Sequence, residues 1–111
     1  MNSDLERLDH ILNSISKIEK SLLVTYEEYL DSDDKKAALF AHTAIIGEAA
    51  SKLSKELRQQ YPDVPWKSAV SLRNILVHDY IRVDYTILWD TAKHDLPLLK
   101  QQIQRILDNL Q

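Results

Sequence analysis

The densest group of chemically competent side chains lies in the stretch LRNILVHDYI, residues 72–81. Three polar residues, Arg73, Asn74 and His78, fall within six positions of an otherwise apolar, helix-prone segment. On an α-helix Asn74 and His78 are four residues apart and share one face, so that the polar groups form one patch. A guanidinium can bind phosphate oxygens, an amide can orient the phosphate, and an imidazole can transfer a proton near neutral pH. The pattern therefore indicates chemistry on a phosphate group, and a polar network that ties helices together is the alternative.

The spacing within this patch also resembles that of a known family. The stretch from Arg73 to Tyr80 matches the Arg-x4-His-x-Tyr signature of HEPN-domain ribonuclease toxins of the HepT type. Four residues separate Arg73 from His78, and one residue separates His78 from Tyr80. Matching residues on both sides of the motif are Gly47, Glu48, Ala49, Pro65, Trp66, Val83, Asp84, Trp89, Asp95, Leu96 and Pro97. The resemblance covers the chain from its second predicted helix to the end. It implies an all-α, HEPN-like bundle.

The resemblance further implies the toxin of a type VII toxin–antitoxin system, a metal-independent endoribonuclease with tRNA as its expected target. In this reaction a base deprotonates a ribose 2′-hydroxyl, the oxygen attacks the adjacent phosphorus to form a cyclic phosphate, and an acid protonates the leaving 5′-oxygen. His78 would be the base or the acid, Arg73 would stabilise charge on the phosphoryl oxygens, and Asn74 would orient the phosphate. Because two proton-transfer groups are needed and each chain offers one motif histidine, we expect a homodimer with a composite site.

Three residues near the motif have regulatory or supporting roles to consider. In HepT-like toxins the tyrosine of the motif accepts AMP groups from an antitoxin, a nucleotidyltransferase of the MntA type, and the resemblance gives this role to Tyr80. AMPylation would put anionic phosphates beside Arg73 and block RNA; the alternative is a rim tyrosine that stacks on a base. Asp79 either tunes His78 or is a solvated acid. Glu48 either supports Arg73 across the bundle or forms an ordinary ion pair.

Two other functions are compatible with the same residues. The same patch could belong to a non-catalytic module that binds a nucleotide or a partner within a nucleotidyltransferase complex, or to a purely structural dimerising bundle. The other histidines, His10, His42 and His94, lie on three predicted helices without metal-ligand spacing, so no metal site is predicted. No Gly-rich loop is present to hold a nucleotide phosphate, and no cofactor is expected.

Length and composition set limits on the class of protein. A chain of 111 residues predicts one domain over residues 1–111, and 44% hydrophobic with 28% charged residues fits a helical bundle. Cysteine is absent from the sequence, which excludes a disulfide scaffold and thiol catalysis. The acidic amino terminus and the lack of an apolar run of about 20 residues predict a cytoplasmic protein without a membrane partner. A net charge of −3 argues against non-specific coating of nucleic acid, and DNA is not an expected partner.

Hydrophobic periodicity predicts a four-to-five-helix, up-and-down bundle that would carry the patch. The predicted helices cover about residues 4–30, 35–59, 66–78, 85–93 and 98–111. In the second of them, Ala41 and Ile45 are among the residues expected to face inward.

Local signals mark some of the helix ends and one helix contact. Ser3 has capping-box spacing to Glu6, and Asp84 is placed to cap the helix that follows it. Gly47 stands in the middle of the second predicted helix, where glycine costs about 1 kcal/mol relative to alanine. We therefore expect another helix to approach closely at Gly47.

Overall fold

The computed structural model describes residues 2–74 and 83–111, and over these ranges the chain forms seven helices and no strand. The helices are α1 (Asn2–Ser21), α2 (Tyr26–Leu30), α3 (Asp33–Ser51), α4 (Lys55–Gln60), α5 (Trp66–Ser71), α6 (Tyr85–His94) and α7 (Leu96–Leu110). The prediction of an all-α bundle is confirmed. No helix within the described ranges has the length and hydropathy of a membrane-spanning segment.

Polar contacts at its two ends show how α1 lies against its neighbours. Near the start of α1, Asp4 accepts hydrogen bonds from the backbone N–H and the hydroxyl of Ser54, just beyond the end of α3, at 2.9 and 2.6 Å. Near the end of α1, Glu19 forms an ion pair with Lys100, close to the start of α7, at 3.0 Å. The helix α1 therefore runs antiparallel to both α3 and α7, as an up-and-down bundle requires.

The core lies where α1, α3 and α7 meet, because each helix turns an apolar stripe inward. Its largest fully buried aliphatic side chains are Leu8, Ile11, Ile15, Ile18, Leu39, Ile46, Ile103 and Ile106. Beside them Tyr29 of α2 packs on Trp89 of α6, with ring centroids 4.7 Å apart. Trp89 is buried, and Trp66 is half-buried against the same core.

Two of the predicted helices are each divided by a serine or threonine cap. The first ends at Ser21, and α2 begins after Thr25, whose hydroxyl accepts from the Glu28 N–H at 3.1 Å while the Glu28 carboxylate accepts from the Thr25 N–H at 2.9 Å. The second is divided at Ser54, whose hydroxyl accepts from the Leu57 N–H at 3.1 Å. The predictions of continuous helices were wrong here because a side-chain cap satisfies the first N–H groups of a new helix and lets the chain turn.

Other helix boundaries agree with the sequence more closely. The Asp84 side chain accepts from the N–H groups of the second and third residues of α6, which confirms the predicted cap. The last helix begins at Leu96, with Pro97 in its first turn, where a missing N–H costs nothing. Ser3, predicted as a cap, instead lies inside α1, which begins at Asn2. The predicted third helix is observed as α5 up to Ser71, and the part of it beyond residue 74 lies outside the described residues.

The central helix α3 is surrounded on several sides and leaves one stripe open. It contacts α1, α2, α5 and α6. Its buried residues therefore cover a wide arc: Leu39, Phe40, Thr43, Ala44, Ile46, Gly47, Ala49 and Ala50. The open stripe contains Ala41 and Ile45, both exposed, Ile45 by 45%. The prediction that these two residues face inward was wrong, because the periodicity of a helix with several partners does not show which side has none.

Candidate active site

The predicted site residues fall into two groups. Arg73, Asn74 and Glu48 lie within the described ranges, whereas His78, Asp79 and Tyr80 lie outside the described residues. The described part of the site therefore centres on Arg73.

Arg73 follows α5 on a tight turn. The N–H groups of Leu72 and Arg73 donate to the carbonyls of Ala69 and Val70, each at 3.2 Å, so that the last turn is closed by bonds to the third preceding residue. Trp66, at the start of α5, donates its indole N–H to the Tyr61 carbonyl at 2.9 Å. Both ends of this short helix are thus fixed by hydrogen bonds.

A small cavity lies on the opposite side of α5. Ala69 is buried, and a cavity of about 60 Å³ lies between α5 and the α6–α7 pair. Its walls include Ala69 and Leu72 on one side and Leu96 and Leu99 on the other. This volume is well below the ~300–1,000 Å³ of ordinary ligand pockets. The packing partner of the helix that precedes Arg73 is therefore α3, and the cavity on its other side is too small for an ordinary ligand.

Gly47 is the point on α3 where the Arg73 turn makes its closest approach. A methyl group built on Gly47 would lie 2.2 Å from the Arg73 nitrogen, 2.9 Å from the Leu72 carbonyl carbon and 3.0 Å from the Arg73 Cα. Such distances are far inside van der Waals contact, and all three atoms belong to the backbone. The predicted close approach at Gly47 is confirmed, and a glycine is needed there because any Cβ would displace the turn.

The residue after Gly47 contacts the side chain of the same arginine. The Glu48 carboxylate lies 3.7 Å from a terminal guanidinium nitrogen of Arg73, and 3.5 Å from the ammonium group of Lys52 one turn further along α3. Arg73 is 44% exposed. Asn74, next in sequence, is also exposed. The structure therefore brings Glu48 and Arg73 together, and it presents the guanidinium and the neighbouring amide at the surface.

Lys52 is a member of this cluster that the sequence analysis did not select. Its position four residues after Glu48 was the available signal, since residues at this spacing are neighbours on one helix face. The three side chains carry two positive charges and one negative charge, so the cluster has a net charge of +1. In a chain of net charge −3, this is a local site that can attract an anion.

The three histidines outside the motif are not members of this cluster. His10 and His94 are exposed, and the His94 Nδ1 lies 2.9 Å from the Asp90 carbonyl oxygen. His42, on α3, is half-buried, and burial together with the charge of Lys17 lowers its pKa. Within residues 2–74 and 83–111, no three histidine, cysteine, aspartate or glutamate side chains come together in a way that could hold a metal ion.

Comparison with known proteins gives a consistent result. The family model for ribonuclease HepT-like proteins matches residues 11–106. The chain is 34% identical over 107 residues to "Putative RNase MJ1216" of Methanocaldococcus jannaschii, a match that covers 96% of this chain and 84% of the relative. It is 35% identical over 101 residues to "Putative RNase TTE0752" of Caldanaerobacter subterraneus subsp. tengcongensis, with 90% of each chain covered.

A further relative extends the comparison to a protein that carries the family name. The chain is 30% identical over 105 residues to "Probable ribonuclease HepT" of Thermococcus cleftensis, with 94% of this chain and 96% of the relative covered. No solved structure matches the chain at a significant level. Since the family model covers most of the sequence, and these relatives match along nearly their whole length, the chain belongs to the ribonuclease HepT-like family.

Proposed function

We propose that this protein is an endoribonuclease whose active site is built around Arg73. The observation that carries the proposal is the position of the Arg73 guanidinium, which is half-exposed on a turn fixed against Gly47. A planar, permanently charged group held in this way can bind two oxygens of one phosphate and stabilise the charge that develops on them. Family membership and the names of the relatives support RNA as the source of this phosphate.

In the proposed reaction the motif residues divide the work. Arg73 binds the phosphoryl oxygens, and Asn74 orients the phosphate from the next position in the chain. His78 transfers a proton, either from the ribose 2′-hydroxyl or to the leaving 5′-oxygen. Because one imidazole cannot serve both steps at once, the active form is a homodimer in which two copies contribute their histidines. The reaction needs no metal ion and leaves a 2′,3′-cyclic phosphate and a 5′-hydroxyl.

The biological role of this ribonuclease belongs to the same proposal. It is the toxin of a type VII toxin–antitoxin pair and acts on tRNA in the cytoplasm, and residues 1–111 form one HEPN-like domain. An MntA-like nucleotidyltransferase silences it by transferring AMP to Tyr80. The added phosphates would neutralise Arg73 and occupy the space that RNA needs. Asp79 stands between His78 and Tyr80 in the sequence and has no separate role in this proposal.

The test is incubation of the purified protein with total RNA in EDTA, followed by end-group analysis of the fragments. We expect cyclic phosphate and 5′-hydroxyl ends, and we expect Arg73→Ala and His78→Ala to abolish cleavage. Matched controls are Arg105→Ala and His10→Ala, which remove an exposed arginine and an exposed histidine elsewhere. Cleavage by His78→Ala at the parent rate would refute the mechanism. RNA that is bound but left intact by the parent protein would favour the non-catalytic module instead.

A further inference from the structure

The Glu48 carboxylate lies between two cations, with one oxygen facing each of them. Its Oε1 is 3.5 Å from the Lys52 Nζ, and its Oε2 is 3.7 Å from an Arg73 guanidinium nitrogen. The two non-bridging oxygens of a phosphodiester present the same arrangement, a negative charge shared between two oxygen atoms on one centre. The carboxylate therefore gives Lys52 and Arg73 the same kind of anionic partner that a phosphate would give them.

The carboxylate is held loosely in that position. Both distances are longer than the ~2.7–2.9 Å of charge-assisted hydrogen bonds. The exposed fractions of the three side chains are 53% for Glu48, 51% for Lys52 and 44% for Arg73. Ion pairs exposed to this extent contribute little to stability, because water screens them and two long side chains must be ordered. A ligand can therefore separate Glu48 from the two cations at small cost.

A phosphodiester offers these cations a better partner than Glu48 does. The guanidinium fork can donate two parallel hydrogen bonds to its oxygens, and the ammonium group can donate a third from the other side. The carboxylate is also tied to the α3 backbone, whereas an RNA phosphate can move to the position of best geometry. The net charge of +1 on the cluster favours the exchange.

We propose that Lys52 is a second phosphate-binding residue of the site, and that Glu48 is an internal stand-in which the RNA phosphate displaces. The proposal rests on the RNA site proposed at Arg73 and extends it along α3 by one turn. In the free protein the charge of Glu48 offsets part of the repulsion between the two cations. In the complex the phosphate takes over this role.

An ordinary reading of the Glu48–Lys52 contact makes different predictions. Glutamate four residues before lysine is a common stabilising pair on a helix surface, worth about 0.2–0.5 kcal/mol. If the contact has only this role, the Lys52→Gln substitution changes helix stability slightly and leaves RNA binding alone. If Glu48 instead orients Arg73 for RNA, removal of its charge weakens binding. If it is a stand-in for phosphate, removal of its charge strengthens binding.

The experiment measures RNA affinity as a function of salt concentration, with His78→Ala as the background so that the RNA stays intact. We expect Lys52→Gln to weaken binding roughly fivefold to tenfold at low salt and to reduce the log–log salt slope by about 0.7, the value for one phosphate contact on a single strand. Lys52→Arg should retain the affinity. Glu48→Gln should bind RNA more tightly than the background protein.

The chain offers a matched control in the Glu19–Lys100 pair, at 3.0 Å with exposed fractions of 48% and 43%. Glu19→Gln and Lys100→Gln should leave both the affinity and the salt slope unchanged, and urea midpoints verify that every variant is folded. The inference is overturned if Lys52→Gln behaves like Lys100→Gln, or if Glu48→Gln binds RNA more weakly. If Arg73→Ala loses RNA binding in the same assay, either of these outcomes overturns only the inference about Lys52 and Glu48, and the proposed function stands. RNA cleavage by Arg73→Ala at the parent rate, with His78 intact, refutes the proposed function itself.

Discussion

Replacement of Gly47 by alanine tests whether contact with α3 sets the position of Arg73. The added Cβ would lie 2.2 Å from the Arg73 nitrogen, and two further backbone atoms would be within 3.0 Å. Rotation of a side chain cannot relieve the contact, because all three atoms are backbone. Either α3 and α5 move apart by about 1 Å, or the turn at residues 72–73 separates from α3. In both cases the guanidinium moves away from its present position.

Two terms of opposite sign decide the effect on stability. Alanine is better than glycine by about 1 kcal/mol in the interior of a helix. Overpacking of a closely packed contact costs about 1–3 kcal/mol. We therefore expect Gly47→Ala to lower the free energy of unfolding by up to about 2 kcal/mol. The effect on RNA cleavage should be larger than this loss implies, because a shift of about 1 Å in a catalytic group can reduce a rate by about 100-fold.

The assay combines urea unfolding with RNA cleavage at a temperature where every variant is more than 95% folded. Ala41→Gly is the matched control, since Ala41 lies exposed on the same helix and its substitution loses about 1 kcal/mol of helix propensity without reaching Arg73. Ala41→Gly should lower stability and leave cleavage intact, whereas Gly47→Ala should impair cleavage at similar stability. A Gly47→Ala protein that is about 1 kcal/mol more stable than the parent, and cleaves RNA normally, would refute the reasoning.

Three further predictions concern the scaffold, and urea unfolding measures each of them. Tyr29→Phe should lower stability by about 1 kcal/mol, because it keeps the buried ring and loses only the 2.9 Å hydrogen bond from the hydroxyl to the first carbonyl of α6; an unchanged midpoint would contradict this. Asp4→Ala should cost about 1–2 kcal/mol, since it removes both hydrogen bonds from Ser54 that hold α1 against the start of α4, and Asp9→Ala, at an exposed position of α1, should cost much less. Burial and the charge of Lys17 lower the pKa of His42 in the folded protein, so the unfolded chain binds a proton near pH 6.5 that the folded chain does not yet accept. Stability should therefore decline as the pH falls below about 6.5, and His42→Gln should make this decline shallower; an equally steep decline would contradict the assignment.

The sequence predicts the fold class and the close approach at Gly47 for clear physical reasons. Apolar residues at helical spacing indicate helices, and a lone glycine inside such a pattern loses stability unless something requires it. The divisions at Thr25 and Ser54 could not be predicted with the same certainty. Serine and threonine also occur inside helices, and the choice between cap and interior depends on tertiary contacts such as the one between Asp4 and Ser54.

In the candidate site, too, contacts between residues close in sequence could be predicted, whereas contacts between distant segments could not. The motif selects Arg73, and sequence spacing alone joins Glu48 to Lys52. What joins these two parts is the crossing of α3 by the turn after α5, more than twenty residues further along the chain. Sequence reasoning could name Glu48 as a candidate partner for Arg73, and the spacing would then have added Lys52, but whether Glu48 meets Arg73 at all required the crossing point to be known.

Two consecutive residues of α3 act on Arg73 in different ways. Gly47 contacts the backbone of the arginine, and Glu48 contacts its side chain. Their substitutions should therefore separate the position of the guanidinium from its charge environment. Gly47→Ala should move the guanidinium and impair cleavage whatever the salt concentration. Glu48→Gln leaves the backbone in place, so its effect on RNA binding should be strongest at low salt and should fade as ions screen the cluster. Impaired cleavage by Gly47→Ala together with tighter RNA binding by Glu48→Gln would show that α3 positions the arginine through Gly47 and competes with RNA for it through Glu48.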